Sequence, residues 1–406
     1  MSVGRLLQRC ELLASITAIE GGICRTYLTE EHRRCNRQVM QWMREAGMET
    51  HTDAAGNCWG HYAGSDMDGQ TLLLGSHLDT VPGAGRYDGI LGVLAAIEVV
   101  ARFHRRGRRF PFHIDVVGFA DEEGSRFGAT LLGSRAVAGL WDSALLALCD
   151  AEGVSMAEAF VEFGLDPAKV ATTSRAGARL LGYWELHIEQ GPVLEELDLP
   201  LGVVSAIAGA RRCLFTLQGS AGHAGTVPMT MRRDALLAAA GAVQLVDAVA
   251  RRCGVVATVG NIEVWPGVVN VIPGRCEFTL DIRSGEDQLR DRALAEIIDG
   301  IDALCDRSQV AVTYREIHSA AAVACAARLR EAGSRALARC GLQDFSLPSG
   351  AGHDAMAMAA ITDVGMLFLR CAGGVSHHPE ESVDAADVAL ALDVLEAAVE
   401  ETWEHA

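Results

Sequence analysis

Short apolar runs take turns with longer stretches of helical spacing along most of this chain. TLLLGSH (71–77) reads as a strand and GILGVLAAIEVVARFHRR (89–106) as a helix. FPFHIDVVGFA (110–120), GYWELHIE (182–189) and VGMLFLR (364–370) read as further strands with helical material between them. This alternation predicts an α/β fold, a mostly parallel sheet covered by helices. The rhythm changes between about 211 and 320. There the order is strand (RCLFTLQG), helix (RRDALLAAAGAVQLVDAVARR), two strands (VVATVGNIEV, CEFTLDIRS), helix (EDQLRDRALAEIIDGIDALC) and strand (VAVTYREIH). That β-α-β-β-α-β order is the split-βαβ or ferredoxin-like unit. Residues 1–210 and 321–406 are therefore expected to form one discontinuous domain, with 211–320 inserted as a second. A length of 406 residues is also more than one hydrophobic core usually serves.

The polar residues that break the apolar runs cluster at strand ends. In open α/β sheets, ligands sit outside the carboxyl ends of the strands. The run at 71–76 ends at His77 and leads to Asp79 and Asp88 through a glycine-rich segment, GSHLDTVPGAGRYDG. The run at 112–120 leads into Asp121-Glu122-Glu123, the run at 182–188 contains His187, and the run at 364–369 leads through Gly-Gly to His377-His378. Each has an ordinary reading as well. His77 alone suits a hydrogen-bonded structural histidine, Asp88 suits an N-cap for the helix that follows, and Glu122-Glu123 suits a solvated pair. Four such endings on one sheet edge point instead to a metal constellation. Imidazole and carboxylate without thiolate suit Zn²⁺, or Mn²⁺, Co²⁺ or Ni²⁺, better than Ca²⁺ or Mg²⁺. Two cations sharing one carboxylate, roughly 3.5–4 Å apart, would use five protein ligands. His51, His61, His104, His113 and His318 lie in no such context and read as structural or surface residues.

Charge and cysteine usage narrow the partners. Thirty-five basic against 53 acidic residues give a net charge of −18, which argues against nucleic acid and against an anionic membrane surface. The basic cluster from Arg102 to Arg109 reads as the solvated end of a helix. The 12 cysteines are scattered without a C-x-x-C pair and read as reduced, mostly buried thiols. The N-terminal stretch is too polar for a signal peptide, and no run approaches the ~18–20 apolar residues of a membrane span. A cytoplasmic location is the expectation.

With these motifs in place, the chain resembles the dinuclear-metal amidohydrolases that cleave ureido groups: N-carbamoyl-L-amino-acid hydrolases, β-ureidopropionases and allantoate amidohydrolases. The resemblance rests on GSHLDTVPGAGRYDG (75–89), ADEEGSRF (120–127), ELHIEQGPVLE (185–195), GHAGTVPM (222–229), NVIPG (270–274), DIRS (281–284), SGAGHDAM (349–356) and GGVSHHPEE (373–381), in the family's order over nearly the whole chain. It implies His77, Asp88, Glu123, His187 and His377 as ligands of two divalent metal ions, with Asp88 as the bridge. Where the family pattern has Asn after the ligand histidine, this chain has His378. The resemblance further implies Asp79 as the acid that orients His77, Glu122 as the general base, and His223 as a donor to the developing oxyanion. Gln190, Arg211, His223, Asn270, Arg283 and Gly352 match substrate contacts, with Arg283 suited to a bidentate grip on a carboxylate. The inserted domain is implied to be a lid over the substrate and the surface of a homodimer. The wording of GYWELHIEQGPVLE, AGHAGTVPM and GMLFLRCAGGVSH is nearest that of the allantoate amidohydrolases. A related dinuclear peptidase is the rival reading.

Overall fold

The structure, a computed structural model, describes residues 3–404. Its principal strands in chain order are β1 (Glu49–Thr52), β2 (Cys58–Tyr62), β3 (Thr71–His77), β4 (His113–Phe119), β5 (Leu180–Ile188), β6 (Leu201–Ile207), β7 (Gly209–Gln218), β8 (Ile262–Trp265), β9 (Arg275–Ser284), β10 (Ala311–Ala320) and β11 (Val364–Leu369). The longer helices are α1 (Val3–Ala14), α2 (Glu30–Glu45), α3 (Ile90–Arg105), α4 (Ala235–Cys253), α5 (Asp287–Ser308), α6 (Ala327–Arg339) and α7 (Ala385–Glu404). The chain divides into two compact units. One holds the residues up to Ser205 and those from Cys325 onward, and the other holds Ala206–Ala324.

In the first unit the strands run β1-β2-β4-β3-β5-β11-β6 across a mixed sheet. The four central strands β4, β3, β5 and β11 are parallel. The outer strands β1, β2 and β6 lie antiparallel to their neighbours. The centre follows from composition: β4 and β11 are buried along their whole lengths, as strands covered on both faces must be. The crossover from β3 to β4 is α3, which is buried at nearly every position. It lies close on β5 because Gly92 has no Cβ; one built there would stand 2.1 Å from the Leu186 carbonyl oxygen. Leu72, Leu74, Val93, Ile97, Leu186, Leu367 and Leu395 share the resulting core.

The second unit has a core of its own. Its main strands run β8-β9-β7-β10, all antiparallel. Burial alternates along β9, so only one sheet face is covered. Ala239, Ala242 and Val246 of α4 and Ile297 and Ile301 of α5 pack there with Phe215, Phe278 and Leu280. Asp234 caps α4 by accepting from the Leu236 and Leu237 N–H groups, and Gly254 closes it in a left-handed conformation. The window of 211–320 read from the sequence lies inside this unit. Among the described residues no helix is long and apolar enough to cross a membrane.

Candidate metal centre

The parallel centre of the first unit brings its strand ends to one edge. His77 ends β3 opposite Phe119 of β4, and His187 on β5 pairs with Phe368 of β11. Between them stands Asp88. It is not the cap of α3, because that position belongs to Gly89, which has φ 69° and no side chain. A Cβ on Gly89 would lie 2.4 Å from His77 Nε2, so glycine here also leaves room for the imidazole.

Asp88 is buried and faces three imidazoles. Its Oδ1 lies 3.0 Å from His187 Nε2 and 3.6 Å from His77 Nε2, and its Oδ2 lies 3.1 Å from His377 Nε2. His377 Nε2 is in turn 3.4 Å from Glu123 Oε1. Two donor triads result, His77–Asp88–His187 and Asp88–Glu123–His377, each with its ligand atoms within 4.8 Å of one another. Asp88 belongs to both. His378, the neighbour of His377, points elsewhere, 3.9 Å from Glu380.

The donors ask for cations. His187 Nδ1 lies 2.8 Å from the Ile188 carbonyl oxygen, which accepts its proton and turns a bare Nε2 toward Asp88. Among the described residues, neither His187 Nε2 nor Asp88 Oδ1 has a hydrogen-bond partner, although both are buried. Two buried acceptors 3.0 Å apart fit a shared cation. As a carboxylate Asp88 could bridge two cations, its Oδ1 toward His77 and His187 and its Oδ2 toward His377.

Asp79 works mainly through the main chain of the acidic loop. Its Oδ1 accepts from the Glu122 N–H at 2.9 Å and its Oδ2 from the Glu123 N–H at 3.1 Å. The His77 Nδ1 lies nearer to the Asp79 carbonyl oxygen, at 3.1 Å, than to its carboxylate, at 3.5 Å. Glu122 takes no part in the two triads that share Asp88, though it stands within the same span of His77 and Glu123. Burial, opposed by His77 and reinforced by the like charges of Glu123, Asp354 and Asp79, holds its carboxyl well above the usual range. A Cβ on Gly352 would stand 3.7 Å from Glu122 Oε1, so that glycine borders the Glu122 carboxyl.

Gln190 meets one candidate ligand directly, its amide donating to Asp88 Oδ2 at 3.0 Å, and it also donates to Ser376 Oγ at 3.2 Å. The sequence reading missed several residues that hold the ligands. Buried Glu381 accepts from the Tyr87 and Asp88 N–H groups at 2.7 and 3.2 Å. Ser376 Oγ sits 3.0 Å from Asp88 Oδ2 and 3.2 Å from Glu381 Oε2, which joins the Asp88 and His377 loops. Glu185 lies beneath the site, accepting from Ser76 Oγ and the Ala355 N–H. The His353 ring packs edge-on against His187, with centroids 4.6 Å apart. Burial, with His187 and His77, holds His353 well below the usual imidazole range, so it is neutral. The only sequence signal for these residues was their place inside the quoted motifs.

The remaining candidates belong to the second unit. His223 is exposed, and its Nδ1 accepts from the Gly225 N–H at 3.0 Å, which leaves the proton on Nε2 as a donor. The Asn270 carbonyl accepts from the Ala224 N–H, joining the two motif segments. Arg283 makes a two-pronged contact with Asp281, at 2.7 and 3.0 Å. Arg211 is engaged by Glu316 and Asp291.

Comparison with known proteins agrees with this architecture. Residues 73–401 match the peptidase family M20/M25/M40. The N-carbamoyl-L-amino acid amidohydrolase of Geobacillus stearothermophilus is 42% identical over 393 residues, 96% of each chain. A probable allantoate deiminase of Oryza sativa subsp. japonica is 40% identical over 414 residues, 94% of this chain and 84% of that one. A crystal structure of a hydantoinase/carbamoylase family amidase from Burkholderia multivorans superimposes with a TM-score of 0.93 at 33% identity, covering 99% of this chain and 98% of that one. The chain thus belongs to the peptidase family M20/M25/M40 and is an amidohydrolase of its branch that acts on linear amides.

Proposed function

We propose that the protein hydrolyses the ureido C–N bond of a small carboxylate-bearing ureide, with allantoate as first substrate. The observation that carries this reading is the pair of donor triads that share Asp88, beside a Glu122 that belongs to neither of them. His77, Asp88 and His187 would hold one divalent cation and Asp88, Glu123 and His377 a second, Zn²⁺ first and Mn²⁺, Co²⁺ or Ni²⁺ next. Such ions would polarise the ureido carbonyl and make water acidic near neutral pH. Glu122 takes the proton from that water and delivers it to the departing nitrogen. Water adds to the carbonyl carbon, the C–N bond breaks and ammonia leaves. The remaining N-carboxylate loses CO₂, which from allantoate yields ureidoglycine. His223 Nε2–H supplies a hydrogen bond to the developing oxyanion. Arg283 grips the substrate carboxylate, and the second unit acts as lid and as the surface of a homodimer.

The second reading takes N-carbamoyl-L-amino acids, or N-carbamoyl-β-alanine, as substrate. It is favoured by the Geobacillus stearothermophilus relative, which matches over 96% of both chains. A single panel separates the readings: ammonia release from allantoate, N-carbamoyl-β-alanine and several N-carbamoyl-L-amino acids, beside dipeptide cleavage, with Zn²⁺, Mn²⁺ and Co²⁺ compared. Allantoate should give the highest kcat/KM. A carbamoyl amino acid in first place replaces the first reading by the second. Cleavage of dipeptides alone overturns both.

A further inference from the structure

Arg25 is fully buried, and among the described residues no carboxylate forms an ion pair with its guanidinium. A buried charge without a counter-ion is costly unless its donors are well used. Arg25 Nε donates to the Leu78 carbonyl at 2.8 Å, and Nη1 donates to the carbonyls of Leu13 at 2.8 Å and Ile16 at 3.0 Å. Leu78 stands between His77 and Asp79. The main chain of Arg25 grips the next residue along: its N–H donates to Thr80 Oγ1 at 2.9 Å, and its carbonyl accepts from the Thr80 N–H at 3.0 Å. Farther along the same loop the Ala84 N–H donates to the Ile23 carbonyl at 3.0 Å.

The loop from His77 to Asp88 is therefore tied at Leu78, Thr80 and Ala84 to a strap made of residues 23–25. The guanidinium fastens that strap to the end of α1 through Leu13 and Ile16. The strap lies upstream of residue 73, where the family match begins.

From this geometry we infer that Arg25 is a positioning residue of the metal centre, holding the Leu78–Thr80 turn so that His77 and Asp88 keep the spacing of ligands. The inference rests on the two-cation reading given above. Lysine keeps a charge but cannot serve three carbonyls from one planar fork. Bonds that orient ligands usually change metal affinity by ~10–100-fold when removed.

The test measures Co²⁺ affinity by chelator competition, the visible spectrum of the Co²⁺ protein, and Tm. The variants are Arg25→Lys, Arg25→Met, Thr80→Val and Thr80→Ser, with Leu13→Ala as a control that weakens the α1 core without touching the loop bonds. Arg25→Lys and Thr80→Val should lose ~10-fold or more in Co²⁺ affinity and change the spectrum. Thr80→Ser, which keeps the acceptor, should restore both. Leu13→Ala should lower Tm and leave both unchanged. Folded Arg25→Lys and Thr80→Val proteins with the original affinity and spectrum overturn the inference even if Arg25→Met does not fold. So does a Leu13→Ala protein that loses as much affinity as they do. Failure of the unaltered protein to bind Co²⁺ overturns the two-cation reading, and this inference with it.

Discussion

At the scale of single residues, the site separates ligands from chemistry. Glu123 joins His377 and Asp88 in a donor triad, whereas Glu122, one residue earlier, stands outside both triads built on Asp88. Both main-chain N–H groups of the pair are pinned by the Asp79 carboxylate, so one acid fixes the backbone from which both side chains start. Glu122→Gln should therefore keep its metal while kcat falls by at least ~10²-fold, the scale of lost general-base catalysis. Metal analysis beside steady-state kinetics checks this, and unchanged turnover at full metal content contradicts it. Arg283→Lys should lower kcat/KM on carboxylate-bearing ureides by roughly 10-fold or more, for one charge-assisted hydrogen bond of ~1.5–3 kcal/mol, and should barely affect a neutral ureide. Equal effects on both substrates would remove Arg283 from the carboxylate grip. The candidate ligands were legible because each sits in a polar interruption of an apolar run. Glu381, Ser376, Glu185 and His353 were not, because their work depends on partners far away in sequence: Glu381 meets Tyr87 and Asp88.

Among the elements, alternation revealed the parallel centre of the sheet. It was silent on the antiparallel edges: ETHT is four mostly exposed polar residues with no apolar run to mark it, and LGVVSAI passes into the next strand with no helical stretch between them. At one such edge a cross-strand pair ties β2 to β4. His61 Nδ1 lies 2.6 Å from Asp115 Oδ1, and Arg175 donates to Asp115 Oδ2 at 2.6 Å. The Asp115 bond raises His61 above the usual imidazole value against partial burial, with Glu49 assisting and Arg175 opposing. A raised histidine adds stability in full below its unfolded pKa of ~6.5 and loses that addition as pH rises through the folded value. For Asp115, burial is outweighed by His61 and Arg175, so its carboxyl is lowered. Its share is present above an unfolded pKa of ~3.9 and fades as pH falls through the folded value. His61→Asn keeps a neutral donor and loses the charge. Thermal unfolding should show a deficit of up to ~1 kcal/mol near about pH 5.5, given the partial exposure of the pair, shrinking toward zero by about pH 9. A deficit that stays constant over that range contradicts the account of this edge.

For the whole molecule, a net charge of −18 keeps copies apart at long range, so association needs an apolar patch. Met229, Met231, Leu237 and Val269 of the second unit are strongly exposed, and the proposed homodimer would cover apolar residues of this kind. Light scattering should give about twice the chain mass of 43.2 kDa, and Leu237→Asp with Val269→Asp should shift the protein to monomer. A monomer at every concentration would refute the homodimer. The most direct test of the central claim is a count of bound ions per chain after metal loading and desalting. The unaltered protein should hold about two, the number that five ligands sharing one carboxylate provide for. His187→Ala should hold about one, since it removes a ligand from a single triad, and Asp88→Ala should hold none, since it removes the ligand common to both. An Asp88→Ala protein that still retains two ions, or an unaltered protein that never holds more than one, would contradict the shared-carboxylate centre.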